Sequence, residues 1–215
     1  MTTPLIIIGA GGLGREITGI VDDINAAAPG TWEILGFVDD GEPDTERLAR
    51  IELPHLGGKD CLGGLSEGTH YVIGIGSGAP RRKLSAVAEE AGLTAATLVH
   101  PSASVGRDVG IAPGSILCAG VTVTTNVDLG AHTILNLGVT VGHDTVLEDF
   151  VTVHPQVALS GECRIGTEVV MGTSSAIIQG RSIGARTIVG AGAVVVKDLP
   201  ADVTAVGAPA KPLVH

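Results

Sequence analysis

The stretch LNLGVTVGHDTVLEDFVTVHPQVALSGECRI, residues 135–165, carries an aliphatic residue at every sixth position, beginning with Leu135. The same spacing runs without a gap from Val99 to Val195, and small or β-branched residues recur four places later, with Arg181 as a bulky exception. A fixed short period is typical of a parallel β-helix, in which each coil buries its inner face only against neighbouring coils. The series therefore predicts that positions i and i+4 of each hexapeptide point inward.

The first part of the chain follows a different rhythm, in which strand and helix signals alternate. Short apolar runs at 5–8, 34–38 and 71–75 predict buried strands, and helical stretches are expected at about 15–27 and 81–91. This order is typical of a small parallel sheet with helices packed on it. We therefore predict a Rossmann-like α/β domain over residues 1–97, followed by a β-helix domain over 98–215.

Composition excludes several classes of function. The chain has 215 residues, 32 of them glycine, only 2% aromatic residues and a formal net charge of −10. A nucleic-acid partner is not expected, because binding to the phosphate backbone needs a basic surface. No apolar run approaches the roughly 20 residues that cross a bilayer, so no membrane association is expected either.

Location is predicted from the cysteines and from the first residues. Cys61, Cys118 and Cys163 form no CxxC pair, which indicates buried thiols in a reducing compartment. The first residues lead almost directly into a strand, with no basic segment or cleavage site of a secretory signal. A cytoplasmic protein is therefore expected.

Several local motifs carry a resemblance to a known family. They are LVHPSA at 98–103, ILN at 134–136, VGHD at 141–144, and the tail segments VKDLP at 196–200 and GAPAK at 207–211. With the repeats, they resemble the hexapeptide-repeat acyltransferases, in particular the bacterial group of sialic-acid O-acetyltransferases and UDP-4-amino-sugar N-acetyltransferases. The resemblance implies a left-handed β-helix, a homotrimer, acetyl-CoA bound along the β-helix between two subunits, and a nucleotide sugar held by the N-terminal domain.

His143 is the candidate general base. Acyl transfer from a thioester needs a group that takes a proton from the attacking acceptor, and a neutral imidazole suits this task near pH 7. The Gly-His-Asp match supports the assignment, and in the family an acidic residue at the position of Asp144 partners the histidine. A nearby carboxylate favours the imidazolium and fixes the tautomer, although adjacent residues meet only along a particular backbone path.

The resemblance also assigns two further residues to the chemistry. With 18 residues per coil, Gly161 stacks against His143, and its N–H is expected to stabilise the developing oxyanion. Asn136 matches a family asparagine near the acceptor sugar. Each has a structural alternative, as a turn glycine and as a cap within the solenoid.

Residues for acetyl-CoA are less regular. The family usually has a second histidine nine places after the base, where this chain has Thr152, and a histidine follows at His154. Either His154 has taken over the contact or the role is lost. Lys197 and Lys211 are candidates for the CoA phosphates, with solvated surface lysines as the alternative.

In the N-terminal domain, GAGGLG at 9–14 fits the GxGxxG pattern, which lets a backbone approach a phosphate at a helix N-terminus. The family places a UDP-sugar there, and Leu13 stands where that group often has a histidine. Arg81 and Arg82 are the nearest cations for a diphosphate. The predicted substrate-binding residues are Gly11, Gly12, Leu13, Asp39, Asp40, Gly76 and Ser77.

The resulting hypothesis is an enzyme that moves the acetyl group of acetyl-CoA to an amino group of a UDP-linked amino sugar, without a metal. One alternative is O-acetylation of a sialic acid or another sugar hydroxyl. A γ-carbonic-anhydrase-like enzyme would need three histidines around zinc with a His-x4-His pair, and the β-helix histidines His100, His132, His143 and His154 offer no such pair. A non-catalytic assembly module is the third alternative.

Overall fold

The computed structural model describes residues 2–213, and the chain divides into two compact units between Pro101 and Ser102. The division predicted from sequence lay between residues 97 and 98. Each unit is considered by itself below.

The N-terminal unit is built on a small parallel sheet. Its strands are β1 (Thr3–Ile8), β2 (Trp32–Val38), β3 (His55–Gly57), β4 (His70–Ile73) and β5 (Thr94–Ala95), and β6 (Leu98–Val99) follows. Strands β1 to β5 form the sheet in the order β3-β2-β1-β4-β5. The helices are α1 (Gly12–Ala27), α2 (Thr45–Arg50), α3 (Gly78–Glu90) and a 3-10 helix (Lys59–Gly64). The three predicted strands and two predicted helices correspond to β1, β2, β4, α1 and α3.

The centre of this sheet is β1, which pairs with β2 on one side and with β4 on the other, and its residues are apolar. Leu5, Ile6 and Ile7 are fully buried, as are Phe37 and Val72. A continuous apolar run without alternation is the pattern of a parallel strand covered on both faces. The strand ends of β1, β2 and β4 therefore lie side by side at one edge of the sheet.

The C-terminal unit is a parallel β-helix of short strands. These are β7 (Ser104–Val105), β8 (Val109–Ile111), β9 (Ile116–Leu117), β10 (Thr122–Val123), β11 (Val127–Leu129), β12 (Ile134–Leu135), β13 (Thr140–Val141), β14 (Val146–Leu147), β15 (Thr152–Val153), β16 (Ala158–Leu159), β17 (Arg164–Ile165), β18 (Val170–Met171), β19 (Ala176–Ile177), β20 (Ser182–Ile183), β21 (Ile188–Val189), β22 (Val194–Val195), β23 (Thr204–Val206) and β24 (Lys211–Pro212).

Every third strand pairs in parallel, so that residues 18 apart in sequence stack on each other. Two sheets run in the orders β22-β19-β16-β13-β10-β7 and β20-β17-β14-β11-β8, and on the third face β9, β12, β15, β18 and β21 lead to β23, which pairs with an antiparallel β24. Leu135 pairs with Leu117 on one side and with Val153 on the other. The predicted period of six thus corresponds to one strand and corner, and three periods make one coil.

The interior of the β-helix follows the predicted pattern from the second coil onward. Positions of the first aliphatic series are buried from Leu117 to Val195, whereas Val105 in the first coil is 39% exposed. Among the polar members of the second series, Ser115 Oγ donates to the Gly130 carbonyl and accepts from the Thr133 N–H, whereas the buried Ser175 Oγ has no hydrogen-bond partner among the described residues. A narrow interior is therefore filled without large aromatic rings.

Val153 and Val105 provide a matched test of this packing, because they occupy the same position in the repeat but only Val153 is fully buried. Val153→Ala is expected to lower the free energy of unfolding by about 2 kcal/mol, from lost apolar burial and the cavity left behind. Val105→Ala is expected to change it by about 0.5 kcal/mol or less. Urea denaturation of both variants measures the difference, and equal losses would contradict the burial described here.

Candidate active site

His143 lies at a corner of the β-helix, two residues after the buried Val141 that ends β13. Its side chain is 48% exposed, and its carbonyl accepts a hydrogen bond from the Glu162 N–H of the next coil at 2.7 Å. The corner backbone is thereby fixed while the imidazole remains accessible. These are the conditions that a base acting on a bound substrate requires.

His143 and Asp144 are in direct contact, with Nδ1 and Oδ2 2.6 Å apart. The backbone path that allows this is the left-handed conformation of Asp144, whose φ is 58°. The Asp144 N–H donates to the Thr125 carbonyl of the preceding coil at 3.1 Å, which anchors that conformation. The sequence could name both residues but could not show that neighbours in the chain would face each other.

The hydrogen bond from His143 is the main cause that lowers the pKa of the Asp144 carboxyl, and a bond from Asn126 acts in the same direction. Asp144 is therefore ionised at neutral pH and can only accept hydrogen bonds. The hydrogen of a neutral imidazole then lies on Nδ1, so that the lone pair on Nε2 is free to take a proton. The pair is arranged as a base and its orienting carboxylate.

Gly161 lies directly against the imidazole, as the coil arithmetic predicts. A Cβ built on Gly161 would lie 2.6 Å from His143 Nε2. Among residues 2–213 no acceptor pairs with the Gly161 N–H, although its carbonyl accepts from Gly180. A Cβ on Gly142 would collide with the backbone nitrogen of Gly161. Glycine at both positions therefore allows the two coils to stack closely and the His143 ring to lie against Gly161.

Asn136 and His154 also follow buried strand residues at the next corner positions. Asn136 Oδ1 accepts from the Leu137 N–H at 2.7 Å, so the amide is held by its own corner and leaves its Nδ2 group as the side that can meet a ligand. His154 is half-buried, and its N–H donates to the Met171 carbonyl. Thr152, by contrast, is only 2% exposed. Of the two residues considered for acetyl-CoA, His154 rather than Thr152 can reach a ligand on this chain.

Lys197 and Lys211 come together in the C-terminal segment. Both line a cavity of about 250 Å³, together with Pro200, Pro209 and Pro212. The antiparallel pair β23–β24 brings Lys211 back beside the last coils. The arrangement offers two cations beside an apolar surface, which suits a phosphorylated ligand with an apolar part.

In the N-terminal unit the glycines of the GxGxxG pattern have different surroundings. A Cβ on Gly14 would collide with the Gly9 carbonyl, so Gly14 allows close packing of α1 on β1. A Cβ added to Gly11 or Gly12 would have no other atom within 4 Å. Leu13 is half-buried in the first turn of α1. The open pair is the part of the loop that a phosphate could approach.

The two acidic residues after β2 are already engaged. Asp39 accepts from the N–H groups of Ala10 and Gly41, at 2.8 and 2.9 Å. Asp40 accepts from Lys59, from its N–H at 2.8 Å and from Nζ at 3.0 Å, and these bonds lower the pKa of the Asp40 carboxyl. Asp39 therefore shapes the glycine loop, and Asp40 forms an exposed ion pair.

Both acids line a cavity of about 150 Å³ at the strand ends, together with Gly9, Ile75 and Lys59. Lys59 was missed by sequence reasoning, because it lies in a 3-10 helix that no periodic pattern announces. The only hint in the sequence is a lysine that follows two glycines in a connecting segment.

The structure corrects the expectation for Arg81. This residue is 1% exposed, and its guanidinium donates to the carbonyls of Ile75 and Gly76. It therefore holds the loop after β4 in place instead of offering a free charge to a diphosphate. Gly76 and Ser77 form that loop, and Ser77 caps the N-terminus of α3 by its position, without a side-chain hydrogen bond.

Within residues 2–213 one set of three potential metal ligands comes together, namely His143, Asp144 and Glu162, and all three are exposed. It contains one histidine, which does not match the three-histidine zinc site of a γ-type carbonic anhydrase. No helix within these residues has the length and apolar character needed to span a bilayer.

Comparison with solved structures finds relatives that match almost the whole chain. The acetyltransferase domain of PglB from Neisseria gonorrhoeae FA1090, solved alone and in complex with acetyl coenzyme A, is 32% identical, with 99% of this chain and 100% of that chain covered and a TM-score of 0.88. The chain belongs to the hexapeptide-repeat sugar acyltransferases. In the N-terminal unit, residues 4–87 match the PglD N-terminal domain model.

Two further solved structures have the same architecture. A variant of perosamine N-acetyltransferase from Caulobacter crescentus, in complex with CoA and GDP-perosamine, is 31% identical over 99% of this chain and 97% of that chain, with a TM-score of 0.86. WeeI from Acinetobacter baumannii AYE is 28% identical over 99% and 100% of the two chains, also with a TM-score of 0.86. A comparison with curated proteins finds no match. The predicted family and the predicted fold class, an α/β domain followed by a parallel β-helix, are confirmed.

The contact between Gly161 and His143 gives a direct prediction. In Gly161→Ala the added methyl group would overlap the imidazole, so the ring must leave its position. We expect kcat to fall by about a hundredfold, because misplacement of a catalytic group by about 1 Å is sufficient for such a loss. Steady-state kinetics measures this, and the control for the same substitution in open space is Gly19→Ala in α1, where nothing lies within 4 Å of an added Cβ and the backbone is not left-handed.

Proposed function

We propose that this chain transfers the acetyl group of acetyl-CoA to an amino group of a nucleotide-linked amino sugar, with His143 as the general base. The single observation that carries the proposal is the 2.6 Å contact between His143 Nδ1 and Asp144 Oδ2, which leaves Nε2 free on an accessible corner. The relatives support it, since one is solved with acetyl coenzyme A and another with CoA and GDP-perosamine.

The chemistry assigns a task to each of these residues. As the acceptor nitrogen attacks the thioester carbon, Nε2 of His143 takes the proton that the nitrogen loses. Asp144 stabilises the imidazolium that forms. In this proposal the Gly161 N–H donates a hydrogen bond to the oxygen that gains negative charge. The carbon–sulfur bond then breaks, CoA leaves as a thiol after it receives a proton, and an amide remains on the sugar.

An amine is favoured over a hydroxyl as the acceptor by the charges around His143. The carboxylates of Asp144 and Glu162 lie with the imidazole in a group whose ligand atoms are all within 4.8 Å of one another. A neutral amine nitrogen becomes positive as it attacks, and two negative charges stabilise this nitrogen and the imidazolium that forms when its proton is transferred. The Caulobacter relative, a perosamine N-acetyltransferase, also supports an amine as the acceptor.

For the nucleotide we propose UDP. The cavity at the ends of β1, β2 and β4 offers an acceptor in Asp40 and a donor in Lys59. Such a pair suits a base with an N–H beside a carbonyl oxygen, which uracil and guanine both present. Uracil is the smaller of the two, and the cavity of about 150 Å³ is small. GDP is the competitor, since it occurs with the Caulobacter relative.

The acceptor panel tests the reaction and the base together. We expect release of CoA thiol from acetyl-CoA with a UDP-amino sugar, and a loss of at least about a hundredfold in kcat for His143→Ala, the size typical of a general base. GDP-amino sugars and sialic acid complete the panel. Turnover with sialic acid alone would replace the amine by a hydroxyl acceptor, and a His143→Ala variant with wild-type rates would refute the assignment of the base.

A homotrimer is the second part of the proposal. Leu137, Ile178 and Ile188 are between 43% and 48% exposed, and aliphatic residues of this kind on a regular surface are typical of an interface.

The three cysteines are free thiols, the state expected in a reducing compartment, so the proposal places the reaction in the cytoplasm.

Sedimentation equilibrium of the purified chain tests the assembly. We expect a mass three times that of the 21.6 kDa chain. Ile178→Asp is expected to lower the average mass, because a charge in an apolar interface must be desolvated. A wild-type mass equal to that of one chain would contradict the trimer.

A further inference from the structure

Asp144 has two carboxylate oxygens, and only one of them contacts His143. The second, Oδ1, accepts a hydrogen bond from Asn126 Nδ2 at 3.3 Å. Asn126 lies 18 residues before Asp144 and occupies the same corner of the preceding coil, with φ of 56° against 58°. The two side chains therefore leave matching backbone positions on stacked coils and meet alongside each other.

Asn126 is itself held from the other side. Thr125 Oγ1 lies 2.9 Å both from Asn126 Oδ1 and from the Arg107 carbonyl, and the Asn126 N–H donates to that same carbonyl at 3.2 Å. The Thr125 hydroxyl can donate or accept, so the carboxylate decides the orientation: a flip of the amide would place its oxygen against Asp144 Oδ1, and both of these oxygens can only accept. The orientation of the amide is therefore determined.

We infer that Asn126 is a positioning residue for the transfer reaction: it holds the Asp144 carboxylate in the orientation in which Oδ2 accepts from His143 Nδ1. This inference rests on the proposed function of His143. Asp144 is 49% exposed, and water would otherwise solvate Oδ1 and let the carboxylate rotate. With both oxygens bound, the carboxylate has one preferred orientation. The hydrogen bond from Asn126 also helps to lower the pKa of Asp144.

The effect on catalysis passes through the tautomer of the imidazole. A base that uses Nε2 must carry its hydrogen on Nδ1. The hydrogen bond that Nδ1 makes to a neighbouring group determines which of the two ring nitrogens carries the hydrogen. A carboxylate that rotates away weakens this preference and stabilises the imidazolium less well. Asn126 contacts neither nitrogen of the ring, so its loss is expected to lower kcat and leave the KM values near those of the wild type.

Asn126→Gly removes the amide and keeps a residue that accepts a left-handed backbone. We expect kcat to fall about tenfold, the lower end of losses for residues that orient a catalytic ligand, with KM for acetyl-CoA and for the sugar changed less than about twofold. Ser174→Gly is the matched control, since Ser174 is exposed and also left-handed, with φ of 58° at another corner. It is expected to leave kcat unchanged.

Asn126→Asp separates positioning from simple packing. It keeps the shape of the side chain but places a third carboxylate beside His143, which already faces Asp144 of its own coil and Glu162 of the next. More negative charge favours the imidazolium. The acid limb of the kcat/KM profile, where the base must lose its proton, is therefore expected to move to higher pH, whereas Asn126→Gly produces no such upward shift.

Imidazole ¹⁵N NMR gives a readout that does not depend on turnover, with His143→Asn used to assign the signal. In the wild type we expect Nε2 to be unprotonated near neutral pH, and in Asn126→Gly we expect the Nε2-protonated form to gain population. A wild-type nitrogen pattern in Asn126→Gly, or a loss of kcat matched by Ser174→Gly, would overturn the inference. If no acceptor is acetylated at all, the proposed reaction fails, but the NMR comparison still decides the role of Asn126.

Discussion

A left-handed backbone conformation at every sixth residue is the constraint on which the β-helix depends. From 108 to 192 each of these positions has a φ between 54° and 79°. Five of the positions are glycine, and the others include Asn126, His132, Phe150 and Arg186. A non-glycine residue costs about 1–2 kcal/mol in this conformation. The stacked coils compensate through regular bonds such as that from the Phe150 N–H to the Ala131 carbonyl.

The same corner geometry generates the candidate site. A left-handed residue turns its side chain back toward the residue before it, and so Asp144 meets His143 although they are adjacent. Stacking of equivalent corners then adds Asn126 from one side and Gly161 from the other. The reactive group is thus supplied by one coil, and its two neighbouring coils supply the support and the nearby amide.

The repeat made the β-helix predictable, because an unbroken aliphatic series allows few alternatives. It also placed Gly161 under His143, since stacking follows from counting residues. Properties that depend on three-dimensional surroundings could not be predicted by counting residues. The sequence could not show that Thr152 is buried, that the Arg81 guanidinium donates to loop carbonyls, or that Asp39 accepts from backbone amides. The left-handed positions themselves carry residues too varied to be recognised as a motif.

Stacking at intervals of 18 residues also limits how this chain can change in length. An insertion of 18 residues between the site and the C-terminal segment would add one complete coil and return Lys197 and Lys211 to the same face, further along the axis. An insertion of six would rotate everything beyond it by one face. Related proteins that keep the site on one face are therefore expected to differ in this region by whole turns, while single-residue length changes collect in loops that leave the coil at a corner.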